Sequence, residues 1–222
     1  MTMTIAALWR YPVKSLGGES ITSAELTSNG IPGDRIVHVR GPEGVRNSRS
    51  RRHYQLLGLH ATLGLDGEPL IDGHRWDSPQ ALELVRRVAG ADAELAAYDG
   101  VERFDILPVL VATDGAVAAF GRDVRRLRPN ILIGEVDGLA EVDWPGAELH
   151  VADAVIRLDS LRPRCPMTTV DPDTLERDPE VLKDIIRRFD GCLALNADVI
   201  RPGVIRVGDP VRLVRDEERI TA

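Results

Sequence analysis

Short apolar runs, each closed by proline or glycine, fill the first third of the chain and leave room for little except short strands. Residues 4–10 form one such run, which ends before a proline, and residues 20–26 alternate apolar and polar side chains. Segment 29–34 carries two glycines, a proline and an asparagine, which is typical of turns. Further strands are predicted at 35–40, before a hairpin turn at 41–44, and as a pair at 56–65 and 68–71. This part is predicted to be a small, mostly-β barrel or curled sheet.

Helical patterns begin after residue 77 and are interspersed with more strands. Ser78 is a predicted N-cap, and Pro79 suits the first position of a helix that runs to residue 89. A shorter helix is predicted at 114–120, and segment 179–188 places its apolar side chains on one helical face. The remaining strand patterns lie at 131–133, 148–151, 154–159, 193–195 and 204–214, with a break at 208–210.

Together these elements predict a mostly-β fold with a few helices, in the α+β class. A chain of 222 residues, 43% of them hydrophobic, can bury its core as one large domain or as two small interlocked ones. The first helix is the best place for a boundary. The sequence therefore predicts an N-terminal part at 1–90 and a second domain at 91–216, with the final residues as a solvated tail.

Charge and apolar patterning exclude several classes of protein. The net charge of −7 argues against general nucleic-acid binding. No stretch approaches the ~20 apolar residues of a membrane helix, and no basic region precedes an apolar run at the N-terminus, so we expect a soluble, cytoplasmic protein. Phosphate-loop, dinucleotide-binding, serine-elbow and zinc-protease motifs are absent from the sequence. Common nucleotide-binding and hydrolase functions therefore lack support.

Cysteine is rare in this chain, and one of the two cysteines has an unusual setting. Two thiols cannot ligate a four-cysteine iron–sulfur cluster, and no Cys-x-x-Cys pair is present for zinc. Prolines two residues before and one residue after Cys165 exclude it from a regular helix or a central strand. Neighbouring Arg162 and Arg164 favour a thiolate, which suits a nucleophile or a soft-metal ligand; a small buried hydrophobe is the alternative. Cys192 lacks such a setting, and we assign it to packing.

Two further segments carry side chains that suit an anion. Lys14 is one of only two lysines in a chain that otherwise uses arginine, and it stands with Ser15 at the exit of the first predicted strand. Pro129 is predicted to force Arg128 into an extended conformation, so that Arg128 and Asn130 share one face as the next strand begins. The alternative for both segments is an ordinary solvated surface.

Hydroxyl groups follow Cys165 closely in the sequence. Thr168 and Thr169 could donate hydrogen bonds to a ligand bound near the thiol. A turn capped by Asp171 and Asp173 is a simpler explanation of the same segment. The sequence leaves both interpretations open.

Five motifs, in this order, resemble those of MOSC-domain proteins (molybdenum cofactor sulfurase C-terminal domain) that carry an N-terminal MOSC β-barrel. They are Tyr11-Pro12-Val13-Lys14-Ser15, Gly33-Asp34-Arg35, Arg128-Pro129-Asn130, Arg164-Cys165 with Thr168-Thr169-Val170-Asp171-Pro172, and Val207-Gly208-Asp209-Pro210-Val211. In these motifs the chain is similar to the mitochondrial amidoxime-reducing component and its bacterial relatives. The resemblance implies a β-barrel MOSC domain packed against a smaller N-terminal barrel-like part, with a cofactor in the cleft between them.

The resemblance also implies a role for each motif residue. It implies that Cys165 ligates molybdenum and is the catalytic centre. It implies that the molybdenum–molybdopterin cofactor is bound by Lys14, Ser15, Arg35, Arg128, Asn130, Arg164, Thr168 and Thr169. Such residue types suit a phosphate-bearing anionic cofactor, which needs paired cations and hydrogen-bond donors. Pyridoxal phosphate binding is a further property that the family resemblance implies.

The chain departs from the family pattern in several places. Ile106 and Leu107 precede Pro108, where the animal relatives have a pair of Ser or Thr residues, so those hydroxyl contacts are absent. Pro163 stands where relatives can have a serine, and the chain is shorter than the relatives between about residues 65 and 105. Some bacterial relatives carry a fused ferredoxin domain, for which this sequence lacks the cysteines. We therefore expect details of the cofactor site and the substrate pocket to differ.

Three functions compete on this basis. The leading hypothesis is a molybdenum-dependent oxidoreductase that removes oxygen from N-hydroxylated or N-oxide-type small molecules, with electrons from a separate flavoprotein, ferredoxin or cytochrome-type partner. The second is a sulfur-transfer protein that carries a persulfide on Cys165. The third is a non-catalytic carrier of the molybdenum cofactor. No nucleic-acid or membrane partner is expected.

Overall fold

The computed structural model describes residues 2–98 and 103–215. These residues contain sixteen strands and three α-helices. The strands are β1 (Thr4–Arg10), β2 (Glu19–Ile21), β3 (Ser23–Leu26), β4 (Val37–Gly41), β5 (Gly44–Arg46), β6 (Ala61–Leu63), β7 (Pro69–Ile71), β8 (His74–Arg75), β9 (Glu94–Ala97), β10 (Val109–Thr113), β11 (Ile131–Gly134), β12 (Glu148–Val151), β13 (Ala154–Pro163), β14 (Cys192–Arg201), β15 (Gly203–Arg206) and β16 (Val211–Val214). The helices are α1 (Pro79–Ala89), α2 (Asp114–Phe120) and α3 (Pro179–Phe189). The prediction of a mostly-β fold with a few helices is confirmed.

An eight-stranded sheet forms the body of the protein, in the order β16-β12-β13-β14-β10-β11-β1-β2. Strands β10 and β11 run parallel, whereas the other neighbours in this sheet run antiparallel. Strand β1 pairs with β11, with Leu8 opposite Ile131. The first described strand, β1, and the last one, β16, belong to the same sheet. The apolar side chains of this eight-stranded sheet form the larger core, which includes Ile5, Leu8, Val111, Ile133, Leu149, Ile156 and Leu195.

A second core lies in the N-terminal half, between two three-stranded sheets and α1. The sheets have the orders β5-β4-β9 and β6-β7-β8. Helix α1 begins where predicted, because the Ser78 side chain accepts a hydrogen bond from the backbone N–H of Ala81 and a proline occupies the first turn. Its apolar face packs into this core, which includes Val13, Val37, Val39, Leu56, Ile71, Ala81 and Val85.

Helices α2 and α3 pack together over the end of the large sheet. The Asp178 side chain caps α3 by accepting a hydrogen bond from the N–H of Glu180. Val181 and Ile185 are buried against Phe120 of α2, as expected for the apolar face of an amphipathic helix. Both helices match the predicted segments closely.

The predicted strand at 20–26 is two strands. Glu19–Ile21 pairs with β1 in the large sheet, while Ser23–Leu26 pairs with β15 in a separate two-stranded sheet. Thr22 lies between them, and its carbonyl accepts a hydrogen bond from the N–H of Val207. The apolar and polar side chains do alternate in sequence, but the two strands belong to different sheets. The break predicted at 208–210 has the same origin, since β15 pairs with β3 and β16 with β12.

The predicted strand at 56–65 is also wrong over its first part. Residues Tyr54–Gly58 form a 3₁₀ helix that buries Leu56, and only Ala61–Leu63 pairs with β7 as predicted. Strands β9 and β10 were not predicted, since a short apolar run cannot be assigned from periodicity alone. Strand β9 bears on the predicted division at residue 90. Strand β9 pairs with β4, and β1 pairs with β11, so strand pairing crosses that position in both directions. The boundary stays a prediction, and the predicted tail at 216–222 lies outside the described residues.

Among the helices within the described ranges, none is both long and apolar enough to span a membrane.

Candidate anion-binding cleft

Cys165 lies just past the end of β13, directly before the 3₁₀ helix Pro166–Thr169, and its backbone is extended. The expectation that its flanking prolines keep it out of helix and strand is confirmed. The side chain is half-buried and its thiol is free. Two hydrogen bonds from Thr168 hold the loop, because the Cys165 carbonyl accepts from the Thr168 N–H at 3.1 Å and from the Thr168 hydroxyl at 2.9 Å.

The cleft beside Cys165 gathers cationic side chains from distant parts of the chain. Its volume is about 60 Å³. Among the described residues, the charged side chains that line it are six cations and one carboxylate: Lys14, Arg35, Arg49, Arg128, Arg162, Arg164 and Asp105. Ser15 also lines the cleft. The structure therefore brings Cys165 together with five of the other predicted site residues, namely Lys14, Ser15, Arg35, Arg128 and Arg164.

Arg128 is buried without a carboxylate partner among the described residues. One guanidinium nitrogen donates to the carbonyl of Leu16 at 2.6 Å, and the group lies 4.2 Å from the ring centre of Tyr11. Burial lowers the pKa of Arg128 to about 10. The predicted extended conformation is wrong, since φ is +56°. The N–H of Arg128 closes a turn onto the carbonyl of Arg125, and this bond outweighs the usual preference of a residue before proline.

Arg164 is the second cation in the cleft that lacks a carboxylate partner. Its side chain donates to the carbonyl of Leu127 at 2.7 Å, while the N–H of its Nε is buried with no acceptor in the described part of the chain. Burial lowers the pKa of this guanidinium to about 10. A buried donor without a partner costs free energy, and it commonly marks a place for a ligand or an ordered water.

Three of the nine non-glycine residues with positive φ in the described part of the chain line this cleft. Ser15 and Arg35, like Arg128, have positive φ values, of +76° and +53°. A non-glycine residue in the left-handed region costs roughly 1–2 kcal/mol, and such residues cluster at functional sites. Ser15 is buried in this position. Arg35 pairs with Asp34, which also accepts a hydrogen bond from the N–H of Tyr11 at 2.7 Å.

Lys14 meets the carboxylate of the cleft. Its ammonium lies 3.1 Å from Asp105 and donates to the carbonyl of Arg103 at 3.0 Å. Burial lowers the pKa of Lys14, an effect that Asp105 opposes. Asp105 also pairs with Arg49 and with Arg162. Burial alone would raise the pKa of Asp105, but the charges of Lys14 and Arg49 outweigh it and hold that pKa at about 2.

Three predicted site residues contact the backbone instead of lining this cleft. Asn130 accepts from the N–H of Leu110 at 3.1 Å, which ties β10 to the start of β11. Thr168 and Thr169 are buried, and their hydroxyls donate to the carbonyls of Cys165 and Pro166. These three residues shape the cysteine loop and the sheet edge. Their direct contact with a cofactor stays a prediction.

Sequence reasoning missed Arg49 and Asp105. Arg49 belongs to the basic segment 49–52, which resembles any solvated loop in sequence. Asp105 stands three residues before Pro108, with no motif of its own. Cys192, assigned to packing, is half-buried on β14, and burial raises the pKa of its thiol.

A larger cavity of about 240 Å³ adjoins the cleft. Arg128 and Met167 line both spaces. The larger cavity has an apolar and aromatic wall that includes Trp9, Tyr11 and Leu57. Its volume equals about eight water molecules at ~30 Å³ each, which is room for a small ring system.

Two family models match this chain. Residues 114–212 match the MOSC domain, and residues 2–72 match the MOSC N-terminal beta barrel domain. Mitochondrial amidoxime-reducing component 1 of Mus musculus is 26% identical over 281 aligned positions, which cover 95% of this chain and 82% of the mouse protein. Mitochondrial amidoxime reducing component 2 of Macaca fascicularis is 28% identical, over 94% of this chain and 82% of the macaque protein.

A solved structure shares the fold. The YuaD protein of Bacillus subtilis superposes with a TM-score of 0.54 at 12% identity, covering 96% of each chain. Both family matches fall in the order in which the two halves of the fold occur along the chain. The chain therefore belongs to the MOSC-domain proteins that carry an N-terminal MOSC β-barrel domain, and it is similar to the mitochondrial amidoxime-reducing components.

Proposed function

We propose that this protein binds a molybdenum–pterin cofactor in the Cys165 cleft and reduces N-hydroxylated or N-oxide-type small molecules. The observation that carries the proposal is the convergence of a free thiol and six cationic side chains on one cleft, among the residues described. Thiolates are soft metal ligands, and arginine and lysine are the side chains that bind phosphate. The relatives named as amidoxime-reducing components support the class of reaction.

The donors in the cleft suit such a cofactor. The buried Nε of Arg164 has no hydrogen-bond partner in the described ranges, so it can donate to a phosphate or a heterocycle oxygen, and the Ser15 hydroxyl is a further donor in the lining of the cleft. Arg128 brings a positive charge that no carboxylate of the described residues neutralises. The cofactor would complete the coordination of a metal for which Cys165 supplies one ligand.

The cofactor, when bound, supplies the two-electron chemistry that removes oxygen from the substrate. The chain contributes ligation and charge. Cys165 would hold the metal, while Arg128 and Arg164 would neutralise the phosphate of the cofactor in a setting removed from water, where charge pairing is strong. Electrons would come from a separate flavoprotein, ferredoxin or cytochrome-type carrier, as two cysteines are too few for a four-cysteine cluster.

Molybdenum content tests the proposal, with the second cysteine as a matched control. The full chain, Cys165→Ala and Cys192→Ala are each expressed in a host that makes the cofactor, and bound molybdenum is measured per chain. We expect near-stoichiometric metal in the parent and in Cys192→Ala, and at least about a tenfold loss in Cys165→Ala. Reduction of an amidoxime with an artificial electron donor then reports turnover.

Other outcomes would assign the cleft to the alternative functions. Metal-free parent protein that carries a cyanide-labile sulfur on Cys165 would contradict the proposal and indicate sulfur transfer. Bound molybdenum without turnover of several amidoximes or hydroxylamines would indicate a cofactor carrier.

Pyridoxal phosphate is the other ligand that we propose to test in this cleft. An aldehyde phosphate would meet the Lys14 amine, whose pKa is lowered by burial, beside several arginines. Borohydride reduction followed by peptide mapping would place the label on Lys14 if this ligand binds here. Labelling confined to Lys183, which is exposed and pairs with Glu180, would exclude the site.

A further inference from the structure

Asp105 is the one carboxylate that lines the cleft among the described residues, and it stands among its cations. One carboxylate oxygen lies 3.1 Å from the Lys14 ammonium. The other pairs with Arg49 and lies 3.2 Å from Arg162. A single acidic group therefore bridges three cations that come from separate parts of the chain.

The side chain of Asp105 reaches this position from the segment that precedes β10. The carbonyl of Arg103 in the same segment accepts a second hydrogen bond from Lys14. Arg128 and Arg164 line the same cleft but make no ion pair with Asp105 or with another described carboxylate. The cleft thus keeps two cations unpaired while Asp105 neutralises part of the charge on three others.

We propose that Asp105 is a placeholder anion, which holds Lys14, Arg49 and Arg162 in the ligand-free protein and is displaced when a phosphate group binds. A phosphate carries about −1.5 to −2 charges and three acceptor oxygens, so it can satisfy the same cations and also reach Arg128 and Arg164. The carboxylate of Asp105 carries a single charge and cannot satisfy all of these cations. Asp105 then lowers the affinity of the cleft for every anion, because each ligand must first break its ion pairs.

Two outcomes follow from the geometry, and they have opposite signs. If Asp105 is a placeholder, its removal strengthens phosphate binding. If Asp105 instead positions Lys14 and Arg49 for the ligand, its removal weakens phosphate binding. The inference rests on the proposed function only in that both need an anion site in this cleft.

The test measures inorganic phosphate binding by the cofactor-free full chain, through protection of Lys14 from acetylation. Lys183 serves as an internal reference in the same mass spectra, since the chain has only two lysines. The proteins compared are the parent, Asp105→Asn, Asp105→Ser and Asp92→Asn. Asp92 pairs with Arg46 outside the cleft, so its variant is the matched control for loss of a carboxylate. Melting temperatures establish that each variant is folded.

We expect half-protection of Lys14 at about tenfold lower phosphate in Asp105→Asn and Asp105→Ser than in the parent, with Asp92→Asn unchanged. Equal or weaker phosphate binding in both Asp105 variants overturns the inference, and so does the absence of protection in all four proteins. Molybdenum content is measured separately. Failure of the cofactor proposal therefore shows as metal-free protein, whatever Asp105 does.

Discussion

Two parts of the molecule bury arginines, and they treat the charge differently. Arg46, at the end of β5, is 6% exposed and donates to Glu43, to Asp92 and to the carbonyl of Ala89. Arg128, in the cleft, is 8% exposed and donates to a carbonyl while lying on the face of Tyr11. Two carboxylates neutralise Arg46, whereas no described carboxylate pairs with Arg128.

Burial alone therefore does not mark a functional arginine. Removing a charge from water costs several kcal/mol unless a counter-charge compensates for it. Arg46 has that compensation within the chain, and its pairs join β5 to the end of α1. Arg128 and Arg164 form no ion pair with a described carboxylate, so the free energy that a direct ion pair would supply is left for a ligand to contribute.

We expect the largest effects when glutamine replaces either the cleft arginines or the paired Arg46. Arg128→Gln and Arg164→Gln should each weaken phosphate or cofactor binding by roughly 10–100-fold, since a hydrogen bond to a charged group contributes about 1.5–3 kcal/mol. Their melting temperatures should stay near that of the parent. Arg46→Gln should do the reverse, with a clearly lower melting temperature and unchanged binding.

Arg40→Gln is the control for that experiment, because Arg40 forms an exposed pair with Glu94 and should change neither property. Unchanged ligand binding in both cleft variants would break the comparison. A loss of stability in Arg128→Gln equal to that in Arg46→Gln would break it as well, because Arg128 would then be structural.

A middle-sized effect is expected for the pH dependence of Asp105. Its pKa of about 2 lies below the ordinary value of 3.8, so its ion pairs stabilise the folded state above pH 3.8. This contribution is lost as the pH falls from the ordinary value towards about 2. Since the side chain is 31% exposed, we expect only about 1–2 kcal/mol.

Urea unfolding of the parent and Asp105→Asn at a series of pH values measures this contribution. The parent should be the more stable protein near neutral pH, and the two free energies of unfolding should converge in acid. A difference that stays constant with pH would show that the carboxylate charge of Asp105 does not stabilise the ligand-free cleft.

The smallest expected effect concerns backbone strain. Ser15→Gly and Ala152→Gly both relieve a positive φ, of +76° and +48°, so each should raise the free energy of unfolding by about 0.5–1 kcal/mol. Ala152 lies in the turn between β12 and β13, away from the cleft. Only Ser15→Gly should also weaken phosphate binding, by a few-fold, because it removes a hydroxyl from the cleft.

Denaturant titration and Lys14 protection measure these two properties on the same proteins. If Ser15→Gly gains stability and keeps its phosphate affinity, the Ser15 hydroxyl does not serve the ligand. The positive φ would then be an ordinary turn conformation like that of Ala152.

The local features of this protein can be predicted from its sequence. Ser78 and Pro79 set the start of α1, the apolar face of α3 set its packing side, and the prolines around Cys165 kept that residue in a loop. These features depend on a few neighbouring residues, so their physical causes can be read along the chain.

The charge and shape of the cleft, in contrast, depend on long-range contacts that form only on folding. Asp105 meets Arg49 across 56 positions of sequence, and the Arg128 side chain reaches the carbonyl of Leu16 across 112. The N–H of Arg128 also turned its backbone to a positive φ, against the preference of a residue before proline. The contacts of Asp105 with Arg49 and of Arg128 with Leu16 join groups that no sequence pattern relates, because only folding brings these distant segments together. Glu43 lies three residues from Arg46 in sequence, but only the folded chain brings Asp92 to Arg46 and leaves Arg128 without a carboxylate partner among the described residues.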